Sequence, residues 1–307
     1  MTAHSSATEV VLSAPARRVR WMVAVLRTAR PRQWPKNLLV FAAPLAGASL
    51  GRRDGLLYAL VAAAAFGFAS VAVYFVNDVA DAERDRLHPR KRHRPVASGE
   101  LPKRDAVVLG ALCALAGLAA GLLIAEPLLT ATVAAYLGLS FGYSWKLKHV
   151  PVLELLVVAS GFLLRVLGGA AATHVPPSGW FLAVCSLGAL GVVLAKRYTE
   201  LTNLGAEAIE HRPVMRWYRP AALRLSQLVV GAGMIAAYLA WAASEHPEAR
   251  PWHLASALPL VAALVRFALL TGRRTINGSA PVEDLLTRDG PMLACEACWL
   301  ALFVAGL

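Results

Sequence analysis

Three carboxylates stand at regular helical spacing at the point where a long apolar run ends. In the segment Asn77-Asp78-Val79-Ala80-Asp81-Ala82-Glu83-Arg84-Asp85, Asp78, Asp81 and Asp85 follow the spacing i, i+3 and i+7. On a continuous α-helix this spacing puts all three side chains on one face. Like charges on one face repel each other, but Mg²⁺ binds well among carboxylate and phosphate oxygens. The spacing therefore predicts a magnesium site, with a solvated helix end balanced by neighbouring arginines as the alternative.

A dense basic run overlaps the end of this motif and continues beyond it. Its members are Arg84, Arg86, His88, Arg90, Lys91, Arg92, His93 and Arg94. Guanidinium groups match phosphate oxygens in bidentate hydrogen bonds, so acid and base together indicate a phosphate held through a metal. Topology alone also places basic residues in cytoplasmic loops, which accounts for part of the run. No nucleic acid is expected as a partner, because the basic residues are not interleaved with exposed aromatics.

Other polar motifs lie at the ends of apolar segments. They are Arg30-Pro31-Arg32-Gln33-Trp34-Pro35-Lys36-Asn37, Tyr143-Ser144-Trp145-Lys146-Leu147-Lys148 and Lys196-Arg197-Tyr198-Thr199-Glu200. Trp, Tyr and Lys at such places are typical membrane-interface anchors, so anchoring and a role in a site both remain open. Arg165 differs because it lies inside an apolar segment, where a charge usually faces a partner or a wet cavity.

The elements that carry these motifs are predicted to be membrane helices. The 307 residues are 57% hydrophobic and 16% charged, with a mean hydropathy of +0.54, whereas soluble domains carry about a quarter charged residues. Segments of about 20 apolar residues, enough to span a bilayer, centre near Leu45, Ala64, Leu115, Ala135, Ala159, Leu187, Met234, Leu260 and Leu300. We predict an all-α polytopic membrane protein with nine transmembrane helices, which excludes an ordinary soluble enzyme, a disordered chain and a disulfide scaffold.

The basic residues are distributed unevenly along the chain, whose net charge is +12. Of the 31 Lys and Arg, 26 lie before the first span or in even-numbered loops, three lie in odd-numbered loops, and Arg165 and Arg266 lie within spans. This bias predicts that the amino end and the acidic motif face the cytoplasm, in a multi-pass plasma-membrane protein. Residues 1–36 are interpreted as an interfacial amphipathic segment, and residues 37–307 as one integral membrane catalytic domain.

The acidic motif at Asn77, Asp78, Asp81 and Asp85 resembles the NDxxDxxxD motif of the UbiA-type prenyltransferase superfamily. Tyr143 and Lys148 resemble that superfamily's motif after the fourth helix. The resemblance implies a nine-helix intramembrane bundle in the lipid bilayer, with Mg²⁺ as cofactor and a cytoplasmic active site. Ordinary members have a second aspartate-rich motif after the sixth helix, but here that place reads Lys196-Arg197-Tyr198-Thr199-Glu200.

The same departure is found in the branch of the superfamily that transfers phosphoribosyl groups to decaprenyl phosphate. The stretches RPRQWPKN, NDVADAERDRLHPRKRHRP and KRYTEL, with Pro281-Val282-Glu283-Asp284 and Arg288-Asp289, resemble that branch across nearly the whole chain. The resemblance implies phosphoribosyl pyrophosphate (PRPP) as the donor and a polyprenyl phosphate, decaprenyl phosphate, as the acceptor. The resemblance also implies that pyrophosphate is released and that the product is a precursor of cell-wall arabinan.

The resemblance also assigns roles to individual residues. PRPP carries a pyrophosphate and a separate 5-phosphate, so it needs a metal and additional cations. Under this hypothesis Asp78, Asp81 and Asp85 hold Mg²⁺ against the pyrophosphate, and Asn77 orients them and stabilises the departing charge. The expected substrate-binding residues are Lys36, Arg84, His88, Lys91, Arg94, Tyr143, Lys148, Arg165, Lys196, Arg197, Tyr198 and Glu200.

Two other functions stay open on the sequence. A prenyltransferase that moves a polyprenyl group from its diphosphate to an aromatic acceptor would need the missing acidic motif, for which Glu200, Glu283 and Asp284 are the substitutes. A transporter of anionic solutes is expected to place its charges near the bilayer midplane, whereas most charges here lie at one face. Membrane enzymes of this shape often associate, so a homo-oligomer is a further expectation, although the sequence indicates no interface for it.

Overall fold

The computed structural model describes residues 14–89, 91–244, 247–272, 282 and 288–307. Over these residues the protein consists of α-helices and short 3₁₀ segments, without a β-strand in the described ranges, which confirms the all-α prediction. The α-helices are α1 (Ala14–Ala29), α2 (Ala42–Ala46), α3 (Arg53–Ala80), α4 (Ala82–Arg86), α5 (Pro95–Ser98), α6 (Lys103–Leu123), α7 (Pro127–Trp145), α8 (Leu153–Thr173), α9 (Gly179–Leu204), α10 (Ala206–His211), α11 (Pro220–Ser244), α12 (Arg250–Gly272) and α13 (Gly290–Ala305).

Within the described chain, six helices are long and apolar enough to cross a membrane, namely α3, α6, α8, α9, α11 and α12. Helices α7, with 19 residues, and α13, with 16, are also apolar. The first predicted span, centred near Leu45, is not one long helix. It consists of a 3₁₀ segment, Pro31–Phe41, followed by α2, and Pro35 and Pro44 each lack the backbone donor that an α-helix interior needs. The protein is thus an integral membrane protein, and the count of nine spans stays a prediction.

The chain divides into two compact units. The first comprises Met1–Pro35 and Gly67–Ala116, and the second comprises Lys36–Phe66 and Gly117–Leu307. The core of the first unit joins α1, α3 and the segment from α4 to α6 through Ala24, Phe75, Ala82, Val96, Leu101 and Ala106. Three of these six side chains are alanines, and the cluster packs the end of α3 against its neighbours in this unit.

The predicted amino-terminal amphipathic helix is present as α1. Its residues Ala24 and Thr28 are buried, and Trp21 Nε1 donates a hydrogen bond to Asp105 Oδ2 at 2.8 Å. An exposed apolar stripe on its other side consists of Val19, Met22, Val23 and Leu26. The inner face of α1 is therefore fixed to its own unit, and the location of the helix at a membrane interface stays a prediction.

In the second unit α9 packs along α8 and α11, α7 packs on α8, and α12 packs on α13. Side chains of α8, α9 and α11 form one core cluster around Leu155, Val193, Leu194 and Leu223. Aromatic rings fill the contact of α11 with α12 and α13, where Trp241 stacks on Phe303 with ring centroids 5.5 Å apart. These packed helices hold the polar ends of α7, α8 and α9 in place.

Two adjacent glycines of α8 allow a backbone-to-backbone contact. A Cβ atom at Gly169 would overlap the carbonyl oxygen of Val40, and one at Gly168 would overlap the ring of Phe66. Small residues are what permit such close helix contacts in membranes. The contact seats the 3₁₀ segment against α8 and brings Asn37 to Arg165, whose Nε donates to Asn37 Oδ1 at 2.8 Å.

We expect Gly169→Ala to destabilise the protein by about 1–3 kcal/mol, because the added methyl group overpacks a backbone contact. The matched control is Gly138→Ala in α7, where an added Cβ meets no atom within 4 Å. Alanine there should stabilise the helix by about 0.5–1 kcal/mol. Thermal unfolding of both variants in detergent provides the measurement, and equal midpoints would contradict the packing described for α8.

Candidate active site

The acidic motif spans the end of α3 and most of α4, with Asp81 at the turn that separates them. The Asp81 backbone N–H donates to the Asn77 carbonyl at 2.9 Å, and the Asp85 N–H donates to the Asp81 carbonyl at 2.8 Å. Helical bonding thus passes through the motif, close to the continuous helix predicted from the spacing. Asp78 and Asp85 are each only 2% exposed, while Asp81 is half-buried.

Two arginines neutralise the buried carboxylates. Arg94 Nη1 donates to Asp85 Oδ2 at 2.7 Å and lies 3.4 Å from Asp78 Oδ1. Arg30 Nη2 donates to the same Asp78 oxygen, and its guanidinium lies over the Tyr74 ring, 5.1 Å from the centroid. Arg94 was a predicted site residue, whereas Arg30 was not. The sequence indicated Arg30 only through the basic motif that precedes the first apolar segment. Such a motif is equally typical of an anchor at the membrane interface.

The carboxylates have the chemistry to hold a divalent cation. Asp78 and Asp85 converge on the single guanidinium of Arg94, so one positive charge already contacts both. Mg²⁺ in proteins is commonly held by one or two carboxylates plus substrate phosphates, and this pair fits that requirement. The described residues show no preformed group of three or more metal-ligating side chains. Asp81 is therefore not gathered with the other two into a ready cage.

Part of the basic run stabilises the local fold. Arg86 Nη1 contacts Glu83 Oε2 at 2.8 Å, and Arg86 Nε donates to the Ala97 carbonyl at 3.0 Å. Lys103 Nζ donates to Glu83 Oε1 at 2.6 Å. The hydrogen bond from Lys103, followed by the charges of Arg86 and Lys103, holds the pKa of the exposed Glu83 carboxyl below its usual value.

The predicted substrate-binding members of this run are placed differently. Arg84 is exposed, while His88 and Lys91 are half-buried. The Lys91 backbone N–H points to His88 Nδ1 at 3.4 Å. Arg90 lies outside the described residues.

A cavity of about 280 Å³ adjoins Asp78 in the first unit. Its lining consists of Arg27, Arg30, Asp78, His93, Arg94 and Pro95. Arg27 donates to Glu100 Oε2 and to the His93 carbonyl, both at 2.7 Å. The lining has three guanidinium groups and one carboxylate, so the cavity is suited to an anion. Phosphate oxygens match guanidinium donors in bidentate hydrogen bonds.

A second cluster of charges is buried in the second unit around Glu154. Arg197 Nε and Nη2 donate to the two Glu154 oxygens, each at 2.7 Å. Arg197 Nη1 contacts Glu200 Oε2 at 3.1 Å, and Arg212 Nη1 lies 3.3 Å from Glu154 Oε2. Glu154 is fully buried, and Arg197 is 2% exposed. The two guanidiniums of this cluster balance its two carboxylates. Buried ionised groups are tolerated when they are paired and hydrogen-bonded in this way.

Two tyrosines complete the Glu154 cluster. Arg212 Nη1 donates to the Tyr143 hydroxyl at 2.6 Å, and the Tyr218 hydroxyl donates to Glu154 Oε1 at 3.3 Å. Burial raises the pKa of Tyr218 above its ordinary value, so its hydroxyl stays protonated and remains a donor. The cluster therefore links the ends of α7, α8 and α9 with the connection that follows α10.

The structure brings together three of the predicted residues in this cluster, which are Tyr143, Arg197 and Glu200. Three neighbours were missed, namely Glu154, Arg212 and Tyr218. The sequence did indicate Glu154, which is the acidic residue of the apolar run VLELLVV. An ionisable group in an apolar segment needs a partner. Arg212 and Tyr218 lie in a polar connection without a distinguishing pattern.

Other predicted substrate-binding residues lie around these clusters. Lys196 is exposed on α9, and the Tyr198 ring lies 5.7 Å from the guanidinium of Arg224. Lys36 and Lys148 are both half-buried in 3₁₀ segments. Glu283 and Asp284, the predicted substitutes for a second acidic motif, lie outside the described residues.

Arg165 has the protein partners that a charge inside an apolar segment requires. Besides its bond to Asn37, it donates from Nη2 to the Tyr136 hydroxyl at 3.1 Å and from Nη1 to the Gly161 carbonyl at 2.6 Å. Its guanidinium also lies 4.6 Å from the centroid of the Tyr136 ring. These contacts connect α8 with α7 and with the 3₁₀ segment.

Comparison with known proteins identifies a family of transferases for this helical chain. The UbiA prenyltransferase family matches residues 37–280, and the chain belongs to this family. Decaprenyl-phosphate phosphoribosyltransferase of Mycobacterium tuberculosis is 34% identical over 299 residues, which cover 95% of this chain and 96% of that protein. The protein of the same name from Corynebacterium glutamicum is 34% identical over 288 residues, covering 91% and 85%.

Solved structures show the same fold. A UbiA homolog from Archaeoglobus fulgidus, bound to DMAPP and Mg²⁺, matches with a TM-score of 0.71 at 17% identity, covering 91% of this chain and 98% of that one. The same homolog bound to GPP and Mg²⁺ matches with a TM-score of 0.69. The nine-helix expectation and the side of the membrane that the acidic motif faces stay predictions.

We expect Glu154→Gln to destabilise the protein by about 3–5 kcal/mol, because the buried Arg197 guanidinium loses its bidentate carboxylate and keeps the single contact with Glu200 at 3.1 Å. Thermal unfolding in detergent measures the loss. The double variant Glu154→Leu/Arg197→Met removes both charges and should recover most of that loss. A single variant as stable as the wild type would show that the ion pair does not hold this cluster together.

Proposed function

We propose that the protein transfers the 5-phosphoribosyl group of PRPP to a polyprenyl phosphate, with decaprenyl phosphate as the acceptor. The near full-length similarity to two proteins named decaprenyl-phosphate phosphoribosyltransferase supports this reaction. The structural observation that carries it is the presence of arginines in the Glu154 cluster. Arg197 and Arg212 stand in it, with exposed Lys196 beside them, in the part of the chain where a prenyltransferase carries a second set of aspartates.

That difference favours a phosphorylated sugar as the donor. A second aspartate cluster would recruit a second metal for a prenyl diphosphate. PRPP instead has a 5-phosphate separate from its pyrophosphate, and cationic side chains can neutralise that group directly. In our proposal Lys36, Arg84, His88, Lys91, Arg94, Lys148, Lys196 and Arg197 contact the phosphates of PRPP and the lipid, with Tyr143, Arg165, Tyr198 and Glu200 completing the site.

The acidic motif would provide the metal ligands. Asp78, Asp81 and Asp85 would hold Mg²⁺, and Asn77 would orient these carboxylates. When bound, the ion supplies charge neutralisation for the leaving pyrophosphate. The Mg²⁺ in the Archaeoglobus fulgidus homolog supports a metal-dependent reaction in this fold.

The transfer needs no strong general base, because the acceptor phosphate is already an anion. An oxygen of the lipid phosphate forms a bond to the anomeric carbon of PRPP. The bond from that carbon to the pyrophosphate oxygen breaks, and pyrophosphate leaves with the bonding electrons. In-line displacement inverts the anomeric configuration, and catalysis rests on positioning and charge neutralisation.

In our proposal the site lies on the cytoplasmic side of the plasma membrane. This is the side on which the loops rich in Lys and Arg are expected by the positive-inside rule. The lipid tail would lie in an apolar groove between helices, with residues 1–36 at the membrane interface and residues 37–307 as the catalytic domain. The product would enter the synthesis of cell-wall arabinan.

We expect purified protein in detergent with Mg²⁺ to move label from PRPP into decaprenyl phosphate and to release pyrophosphate. Asp78→Asn, which keeps the shape of the side chain and removes its charge, should lower the rate about 100-fold or more, and Asp81→Ala should do the same. Glu83→Gln is the matched control, because this carboxylate is exposed and contacts Arg86 and Lys103.

Two outcomes would contradict the proposal. Turnover of a prenyl diphosphate with an aromatic acceptor, without transfer from PRPP, would assign the chain to the prenyl-transferring members of its family. Failure of both reactions, with uptake of an anionic solute by proteoliposomes, would indicate a transporter. Transfer in detergent cannot depend on a membrane gradient, so a positive result separates enzyme from transporter.

A further inference from the structure

The two arginines on the acidic motif also line the anion cavity beside it. Arg30 and Arg94 contact the buried oxygens of Asp78 and Asp85, and both arginines are part of the lining of the 280 Å³ cavity. Their side chains are 32% and 30% exposed, against 2% and 3% for the two carboxylates. Each guanidinium therefore stands at a boundary, with a buried carboxylate on one side and an open cavity on the other.

The charges around this cavity are balanced in the structure. Arg30 and Arg94 pair with Asp78 and Asp85, and Arg27 pairs with Glu100 at 2.7 Å. Three guanidiniums are thus matched by three carboxylates. A phosphate entering the cavity would meet arginines whose charge is already compensated, so it would bind weakly until another cation takes over the carboxylates.

We propose that Arg30 and Arg94 are exchange cations for the acidic motif. They neutralise Asp78 and Asp85 in the absence of ligands, and they yield these oxygens to a divalent cation. They then contact the phosphate oxygens of a pyrophosphate or phosphate ester in the cavity. This inference rests on the proposed function, and it adds Arg30 to the residues that bind the donor.

The exchange requires only a small movement. A guanidinium carries five N–H donors, and the contact with Asp78 is made through Nη2 of Arg30. The Tyr74 ring holds the plane of the Arg30 group from the other side, 5.1 Å from the centroid. Rotation of the arginine on this ring turns its donors from the carboxylate to the cavity without unpacking α1.

Exchange explains how buried carboxylates can be kept ready for a metal. Asp78 and Asp85 without any cation would be uncompensated charges in a low-dielectric site, which is strongly destabilising. The arginines remove that penalty in the absence of metal. Because each ligand favours the same rearranged state, the divalent cation and the anion should bind with positive coupling.

The test measures two affinities that should change in opposite directions in Arg30→Gln. Calorimetric titration of Mg²⁺ alone into the detergent-solubilised protein should show tighter binding, about 5-fold or more, because a competing cation is gone. Titration of PRPP at saturating Mg²⁺ should show weaker binding, about 10-fold or more, because a charged donor to phosphate is lost. A purely structural role of Arg30 would weaken both.

Two variants serve as controls. Arg86→Gln also removes one positive charge near the motif, but Arg86 contacts Glu83 and the Ala97 carbonyl, so Mg²⁺ affinity should stay at the wild-type value. Arg30→Lys keeps the charge and should bind Mg²⁺ nearly as the wild type does. If Arg30→Gln does not fold, Arg94→Gln carries the same pair of expectations, since Arg94 contacts both carboxylates.

The outcomes separate this inference from the proposed function. Unchanged or weaker Mg²⁺ binding in Arg30→Gln, with label transfer intact in the wild type, overturns the exchange and leaves the function in place. Opposite shifts of the two affinities in a protein that transfers no phosphoribosyl group support the exchange and refute the function. If Arg86→Gln raises the affinity for Mg²⁺ by the same factor as Arg30→Gln, the effect is a general electrostatic one. That result also overturns the exchange.

Discussion

Compensation of buried charge is the constraint on which the rest of this structure depends. Asp78 and Asp85 in one unit, and Glu154 and Arg197 in the other, are almost completely removed from water. An isolated ion in such a place is severely penalised, whereas a bidentate ion pair with satisfied hydrogen bonds is tolerated. Each of these carboxylates contacts a guanidinium, so the positions of Arg30, Arg94, Arg197 and Arg212 follow from where the carboxylates lie.

The two clusters differ in how completely they are closed. Glu154 has both oxygens bound by Arg197, with Tyr218 and Arg212 on the remaining positions. The guanidinium of Arg197 is itself almost fully buried, whereas Arg212 at the edge of the cluster is 28% exposed, so the ion pair at its centre is closed and its edge is accessible. The carboxylates of the acidic motif are instead bound by arginines that are about one-third exposed beside a cavity. The first kind of arrangement holds helix ends together, and the second allows ligands to exchange.

The sequence was sufficient for the fold class, the long apolar helices and the helical face that carries the acidic motif. Periodicity and hydropathy act along the chain, so Asp78 and Asp85 could be placed on one face without knowledge of any distant residue. The pairing of Glu154 with Arg197 joins positions 43 residues apart, and nothing local to either position specifies its partner. The same limit applies to Arg30 and Asp78, which are 48 residues apart.

The first predicted span shows a different limit. Hydropathy over residues 37–50 indicated a helix through the membrane, but it does not register the geometry of the backbone. The chain here forms a 3₁₀ segment that contains Pro35, followed by the short α2, which contains Pro44. Its close contact with Gly169, through the backbone of Val40, depends on the absence of a side chain in another helix, which no pattern within residues 37–50 can indicate.

The pairing of Glu154 restricts which side chains position 197 can carry. An aspartate there would place a carboxylate against fully buried Glu154 and beside Glu200, with Arg212 as the one guanidinium left among the contacts described for this cluster. An acidic side chain is therefore tolerated at position 197 only together with replacement of Glu154. A glutamate outside the motifs identified in the sequence thus sets the chemistry that is allowed at a position inside one of them.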